Sequence, residues 1–441
     1  MRELVTGTMR RGGFWLLSFS ILLAACGGGL PDSVQMPESP LLRLLERKSG
    51  QILYLGSDGN LYAIDQAGGN QIAITTDADL DINSQTFRQY ARFAWSPDSE
   101  KIAFVGLTPE KVSIFVSPAD GSERVELFSS DQDIPIYLYW TPDSQHISFL
   151  ANNLTTQGLS LQMVPANGRG SAQVLSEGRP YYWAWEPQGT RLLAHIGGAA
   201  AESEEARLSL ISPGSEFERE IELPPAYFQA PAWSPDGNQL MVAVQDVQGN
   251  NVLALTNLQG QIRQKLTTLD SSVAFSWSPD GKYVAYITSQ GRTRGVLGRL
   301  TVYKPETAER IVTTDTSFVW AYFWSPDSRK IAYFTLELTQ EETENGSQGN
   351  ATPAVGLFVL DTKTKKTKNL LFFIPTPQFL EVLQVFDQYQ RSATIWSPDS
   401  ENIVVPVLIN RESAAIVVLA ASGNLEPRPI ADGWLAFWSW K

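Results

Sequence analysis

Few side chains in this 441-residue chain are suited to covalent or acid–base chemistry at neutral pH. It has one cysteine, Cys26, and two histidines, His146 and His195. A Ser-His-Asp triad and a His-rich metal site both need imidazoles that the chain scarcely has. His195 falls inside an apolar run that reads as a strand, and His146 follows a turn. No Gly-x-Ser-x-Gly elbow is present. Carboxylates are plentiful, so a pair of them acting on a glycan is the one acid–base arrangement left open. No cofactor, metal site or catalytic residue is indicated, and a non-catalytic role is expected.

A short motif recurs instead. It reads Trp95-Ser-Pro-Asp98-Ser, Trp140-Thr-Pro-Asp143-Ser, Trp185-Glu-Pro-Gln188-Gly and Trp233-Ser-Pro-Asp236-Gly. It continues as Trp277-Ser-Pro-Asp280-Gly, Trp324-Ser-Pro-Asp327-Ser and Trp396-Ser-Pro-Asp399-Ser. Successive tryptophans lie 45, 45, 48, 44, 47 and 72 residues apart, and Trp438-Ser439-Trp440 follows 42 residues after Trp396. Pro fixes φ for the first turn position, Asp suits the next, and Gly or Ser completes the turn. These tryptophans and aspartates are structural on this reading, the rings packing between units and the carboxylates shaping turns. An apolar strand follows each motif, then a third strand, a turn and a fourth. Four strands in about 45 residues is the pattern of a propeller blade.

Residues 51–78 supply three strands without a leading one, and Trp434 to Trp440 forms a leading strand with nothing after it. Joined, they complete one blade and remove two free edges. The expectation is an all-β fold: a single eight-bladed β-propeller of four-stranded antiparallel blades over residues 50–441, with one blade closed by both termini. The repeated motif resembles that of the TolB-type propeller family over this whole stretch. The resemblance implies a protein-interaction platform. The chain departs from that family in having eight blades rather than six, no preceding α/β domain and its own lipid anchor, so no particular partner carries over.

The first 25 residues read as an export address. Arg10 and Arg11 precede an apolar run from Phe14 to Ala24, too short to span a bilayer comfortably. The run ends in Leu23-Ala24-Ala25-Cys26, which resembles a bacterial lipobox, with diacylglyceryl on Cys26 as the membrane anchor. Residues 26–49 then form an attachment point and tether whose free part reaches at most about 80 Å. The expected location is extracytoplasmic, in the bacterial envelope. The net charge is −13. Loss of the first 25 residues deepens it to −15, which excludes nucleic acid as a partner. A monomer is expected.

Strand alternation puts the motif turns and the three-to-four turns at one end of each blade. The two-to-three loops and the inter-blade connections share the other end. The long insertions, residues 79–90, 197–206, 337–355 and 373–391, all fall there, which marks that end as the expected contact surface for an envelope protein or glycan. Within residues 373–391, apolar positions at helical spacing include Phe379 and Phe386. Packing on the propeller is the favoured reading for this helix, over an exposed partner-binding helix in which Phe379 and Phe386 would meet the ligand or partner. Aromatic residues at the starts of leading strands, Tyr181, Trp183, Trp320, Tyr322 and Trp434, are candidates for ligand stacking or for core packing, core being favoured.

Overall fold

The computed structural model describes residues 49–441 except 215–217, 290–295 and 340–351. The address, Cys26 and all but the last residue of the tether lie outside the described residues. The Leu23-to-Cys26 reading therefore has no structural counterpart here.

The described chain is built from antiparallel strands. Four separate four-stranded sheets begin at the strands that end in Trp95, Trp140, Trp185 and Trp233. The Trp277 and Trp324 sheets have the same four-stranded order and touch through one bridge, Gly298 to Val319. In the last, six-stranded sheet, the strand Arg428–Trp438 serves two neighbours. Its first half pairs with Ala414–Ala420, and its second half pairs with Ile52–Gly56 in the register Ile52 to Trp438 and Leu55 to Leu435. Residues near 50 and near 438 are therefore partners on adjacent strands. The apolar faces of neighbouring sheets pack on one another, and Trp140, Trp183, Trp396 and Trp438 are among the largest fully enclosed side chains. The indole Nε1 atoms of Trp140, Trp233 and Trp396 donate to the Ala94, Ala184 and Phe323 carbonyls of the preceding leading strand at 3.0–3.1 Å. Each of these rings fills the gap between sheets and fixes their spacing with a directional bond.

The motif turn is closed by its own side chains. In the Trp277 repeat, Ser278 Oγ donates to Asp280 Oδ1 at 2.7 Å and accepts the Tyr283 N–H at 3.0 Å. The same Asp280 oxygen accepts the Lys282 N–H at 3.1 Å. A hydroxyl donates to the aspartate in the same way from Ser96, Thr141, Ser234, Ser325 and Ser397, which brings in Asp98, Asp143, Asp236, Asp327 and Asp399. In the Trp185 repeat, which lacks both partners, Glu186 instead accepts from Thr190 Oγ1 and Arg191 Nε.

The alternation of Ser and Gly at the end of the motif has a backbone cause. Ser99, Ser144, Ser328 and Ser400 have φ of 60–64°, and Gly189, Gly237 and Gly281 have φ of 71–76°. That left-handed region costs a side-chain-bearing residue roughly 1–2 kcal/mol and glycine almost nothing. The serines offset the cost by reaching the neighbouring turn. Ser144, Ser328 and Ser400 Oγ accept the backbone N–H groups of Asp98, Asp280 and Asp327 at 3.0–3.2 Å. Where glycine sits instead, the backbone lies against Pro142, Gln188 and Pro235 of the preceding turn.

The same turn recurs between residues that are distant in sequence. Gln51 N donates to Ser439 Oγ at 2.9 Å, and Ser439 N to the Gln51 carbonyl at 2.8 Å, as Lys101 and Ser96 do within one repeat. Ser49 Oγ accepts the Asp399 N–H at 3.0 Å, and Ser99 Oγ accepts those of Trp440 and Lys441 at 3.0 Å.

Two outcomes test this account of the motif. Truncating Trp396 to Ala should cost about 3–5 kcal/mol in a urea unfolding titration. Ser328→Ala keeps the left-handed backbone and loses the inter-turn bond, whereas Ser328→Gly loses the bond but relieves the backbone. The alanine variant should be the less stable of the two by about 1 kcal/mol. Equal stability would show that the left-handed position is not what selects Ser or Gly.

Candidate functional site

The strands that begin the sheets carry the candidate aromatics in two separate clusters, and a second segment covers them. Residues 376–392 fold as two short helices, Pro377–Gln384 and Phe386–Tyr389. Thr376 caps the first: its Oγ1 accepts the Phe379 N–H at 3.3 Å and donates to the Trp434 carbonyl at 2.6 Å. Pro377 at the first helical position is preorganised for that start. The apolar spacing puts Phe379, Val382 and Leu383 on one buried face. Phe379 meets Phe334 with ring centroids 5.6 Å apart, and Phe386 meets Tyr322 at 5.2 Å.

Beyond these rings the segment is held by polar contacts to several leading strands. Gln388 Nε2 donates to the Trp183 carbonyl at 2.9 Å, and its Oε1 accepts the Trp183 N–H at 3.1 Å. The Tyr137 hydroxyl lies 2.7 Å from Ser392 Oγ and 3.0 Å from the Gln388 carbonyl oxygen. Asp387 Oδ2 accepts the Ala230 N–H at 3.0 Å. Strands of the Trp140, Trp185 and Trp324 sheets, the approach to Trp233, and Trp434 thus all hold one segment. It is a plug.

Tyr181, Trp183, Tyr322, Phe379 and Phe386 are each at most 2% exposed, so their ring faces are spent on protein neighbours. Trp320 and Trp434 keep part of their surface while packing against the core that holds Tyr322, Phe379 and Phe386, whereas Tyr181 and Trp183 belong to a separate cluster. His195 is fully buried between the Gln229 and Gly198 carbonyls, with its ring nitrogens 3.0 and 2.8 Å from them. Burial pushes its pKa down. No group of three or more metal-ligating side chains occurs among the described residues.

Past the plug, toward the motif turns, space remains. Two cavities of about 250 and 350 Å3 share Arg391 and Trp440 as walls. The smaller is lined by Trp95, Tyr139 and Trp140, with Pro97 and Pro142 from motif turns. The larger is lined by Trp233, Trp277 and Trp324, with Pro235, Pro279 and Pro326 from theirs, and by Gln390 and Thr394. Arg391 makes one long bond to the Ala230 carbonyl, 3.5 Å from Nη2, and its Nε is buried without a partner. Burial pushes the Arg391 guanidinium pKa down and the Asp387 carboxyl pKa up. Nothing in the repeat pointed to Arg391. The one signal available was its place at the end of a helical stretch with apolar spacing.

The end of the sheets that bears the loops differs from the picture drawn from sequence in one respect. Residues 337–355 are not wholly an insertion, because Lys330–Thr339 and Thr352–Asp361 extend the hairpin with Glu337 opposite Ala354. Strand pairing there continues past the expected loop start, and the loop proper (340–351) lies outside the described residues. The exposed large apolar side chains are distributed unevenly between the two ends. Leu80, Ile82, Leu107, Leu154, Val247, Phe318 and Ile409 all stand on two-to-three loops, on connections between sheets or at a strand end beside them. Ile82 is 79% exposed and Val247 94%. Phe372 joins them near the end of its strand, whereas among the described residues Leu425 in a turn, and Val125 and Val174 at strand starts beside such turns, lie at the opposite end.

The plug makes two predictions. Gln388→Ala leaves the buried Trp183 N–H and carbonyl without their partner and should cost about 2–4 kcal/mol in denaturant. Asp387 has a folded-state pKa raised by burial, so its stabilising form is the protonated one. That contribution is full below the ordinary carboxyl range and is lost as pH rises through the raised value. Asp387→Asn, which keeps an oxygen for the Ala230 N–H, should therefore flatten the fall in stability above that range. An unchanged pH profile would remove Asp387 from the account.

No protein-family model and no curated protein matches the chain. Among solved structures, the C-terminal WD40 domain of Sif2 aligns at 12% identity over 85% of this chain and 97% of its own, with a TM-score of 0.50. An oligogalacturonate lyase in complex with manganese aligns at 14% identity over 85% and 98%, also with a TM-score of 0.50. TolB from Acinetobacter baumannii aligns at 14% over 76% and 82%, with a TM-score of 0.36, too low to carry an argument. At such identities the likeness shows the fold alone, and the fold is that of WD40 domains, a β-propeller.

Proposed function

We propose that the chain is an exported, lipid-anchored propeller of eight blades that binds a protein partner in the bacterial envelope through its loop-bearing end, without catalysis. The eight-blade closure is supported by turn-to-turn contacts that pass from each motif to the next. They run from Asp98 to Ser144, Pro142 to Gly189, Gln188 to Gly237, Pro235 to Gly281, Asp280 to Ser328 and Asp327 to Ser400. Asp399 to Ser49 and Lys441 to Ser99 complete the circuit. The blade shared by both termini is the one whose motif turn is assembled from Ser439, Gln51 and Ser49. The TolB-type assignment rests on the motif alone.

The observation that carries the binding reading is the concentration of exposed apolar side chains at the loop end. Isolated exposed apolar residues are ordinary on a protein surface, but eight of the eleven among the described residues gather at one end. Most of them are aliphatic rather than aromatic, which suits a protein surface better than a sugar, since sugars stack on flat rings. Each is worth about 1.5–3 kcal/mol if fully buried on contact. The glycan-acting alternative needs carboxylates in the channel, and the lining of the two cavities presents Arg391 instead. Ser49 sits at the motif-turn end beside Asp399, so a tether from Cys26 would leave from there and turn the loop end away from the membrane.

Two experiments test the reading. Cys26→Ser should abolish incorporation of radiolabelled palmitate and release the protein from the membrane fraction. Retention of both label and membrane association would refute the anchor. Cross-linking in cells followed by pull-down should recover a defined partner. Joint substitution of Ile82, Val247 and Phe318 by Asp should cut that recovery at least tenfold with the unfolding midpoint unchanged. Undiminished recovery would rule out the loop end as the contact.

A further inference from the structure

We propose that the channel beyond the plug is a binding site for a small hydroxylated ring acid, a monosaccharide carboxylate of the uronate class. It would enter between the motif turns, with its carboxylate on Arg391 and its ring against Trp440. This site is independent of partner docking at the loop end, because the two lie at opposite ends of the sheets.

The first argument is Arg391. Its guanidinium forms a wall of both cavities, yet among the described residues no carboxylate stands within 4.0 Å of it, the reach of an ion pair. Its single bond is long, and Nε has no partner. Asp387, four residues before Arg391, attracts it but is already engaged by the Ala230 N–H, and burial favours its neutral form. An enclosed guanidinium without a matched acceptor carries a desolvation cost of several kcal/mol. Its planar fork fits a carboxylate with two parallel bonds.

The second argument is Trp440. Seven motif turns place proline two residues after the leading tryptophan: Pro97, Pro142, Pro187, Pro235, Pro279, Pro326 and Pro398. The turn built on Trp438 places Trp440 there instead. Its backbone N–H goes to Ser99 Oγ, and its half-buried indole stands between the two cavities as a wall of each. The ring packs partly on the core, and the rest of it faces the two cavities. A flat aromatic face lining the same cavities as a guanidinium that has no ion-pair partner among the described residues suits a ligand with one apolar ring face and one anionic group.

The third argument is size and polarity. The larger cavity, about 350 Å3, is near the lower end of the roughly 300–1,000 Å3 common for ligand sites. It has room for one ring rather than a polymer. Gln390 and Thr394 give its wall polar groups for hydroxyls. A free phosphate would find one guanidinium and few other donors, so the site favours a carboxylate carried on a ring.

The test is titration of the full chain, in detergent, with glucuronate and galacturonate, read by tryptophan fluorescence and calorimetry. Acetate and neutral galactose serve as controls. Saturable binding of at least one uronate is expected, with galactose and acetate each at least tenfold weaker. Arg391→Met should weaken uronate binding at least tenfold. Trp440→Leu, at a partly buried position, should weaken it severalfold with at most a small shift of the unfolding midpoint, so a failure of the Arg391 variant to fold leaves the proposal testable. Galactose binding as tightly as the uronates would overturn the role of Arg391. Acetate binding equally well would overturn the ring site. No saturable uronate binding would overturn the whole inference, and none of these results bears on partner recovery at the loop end.

Discussion

A left-handed residue at the end of each motif turn is the constraint on which the rest of the architecture hangs. It forces Gly or a small polar residue at that position, and serine there turns a backbone cost into a bond with the neighbouring turn. The Ser–Pro–Asp hydroxyl and carboxylate close each turn from inside, leaving its outer groups to address the next sheet. The leading tryptophan then sets the spacing between sheets. Local turn chemistry and long-range packing are therefore encoded in the same five residues. In the one repeat without Ser and Asp, Glu186, Thr190 and Arg191 rebuild the closure by other means.

From that frame follows the division of labour between the two ends. Turns at one end stay short, and the long insertions collect at the other. The segment 376–392 enters from the loop end and occupies the space that the leading strands enclose. It replaces solvent with a core of Phe379, Leu383 and Phe386 and with the bonds of Gln388. Past it, toward the motif turns, lie the two cavities that share Arg391, its last basic residue, and Trp440 as walls.

Much of this could be read from sequence because turn residues and strand periodicity act over a few positions. The spacing of the tryptophans and the Pro-Asp turns indicated four-stranded units, and the apolar spacing from Phe379 to Phe386 indicated a helix with a buried face. The role of Ser278 or Ser328 was not legible, since one bonds within a turn and the other to a turn 48 residues away. Arg391 was equally hidden, because its environment is supplied by Ala230, Tyr139 and Trp440 from three distant segments. Trp440 was visible as a departure from Trp-Ser-Pro but had no meaning without the channel. The extended hairpin at Glu337 was misjudged because its polar residues resemble a loop, while pairing with residues 352–355 continues regardless of composition.

The central claim is that residues 438–441 and 49–56 rebuild the same motif turn and blade that the internal repeats form. Amide hydrogen exchange of the full chain, resolved by mass spectrometry, tests it most directly. The account predicts that segments 50–56 and 434–439 exchange together and as slowly as an internal inner pair such as residues 93–95 and 101–105. Rapid exchange of 434–439 while the internal pair stays protected would contradict it.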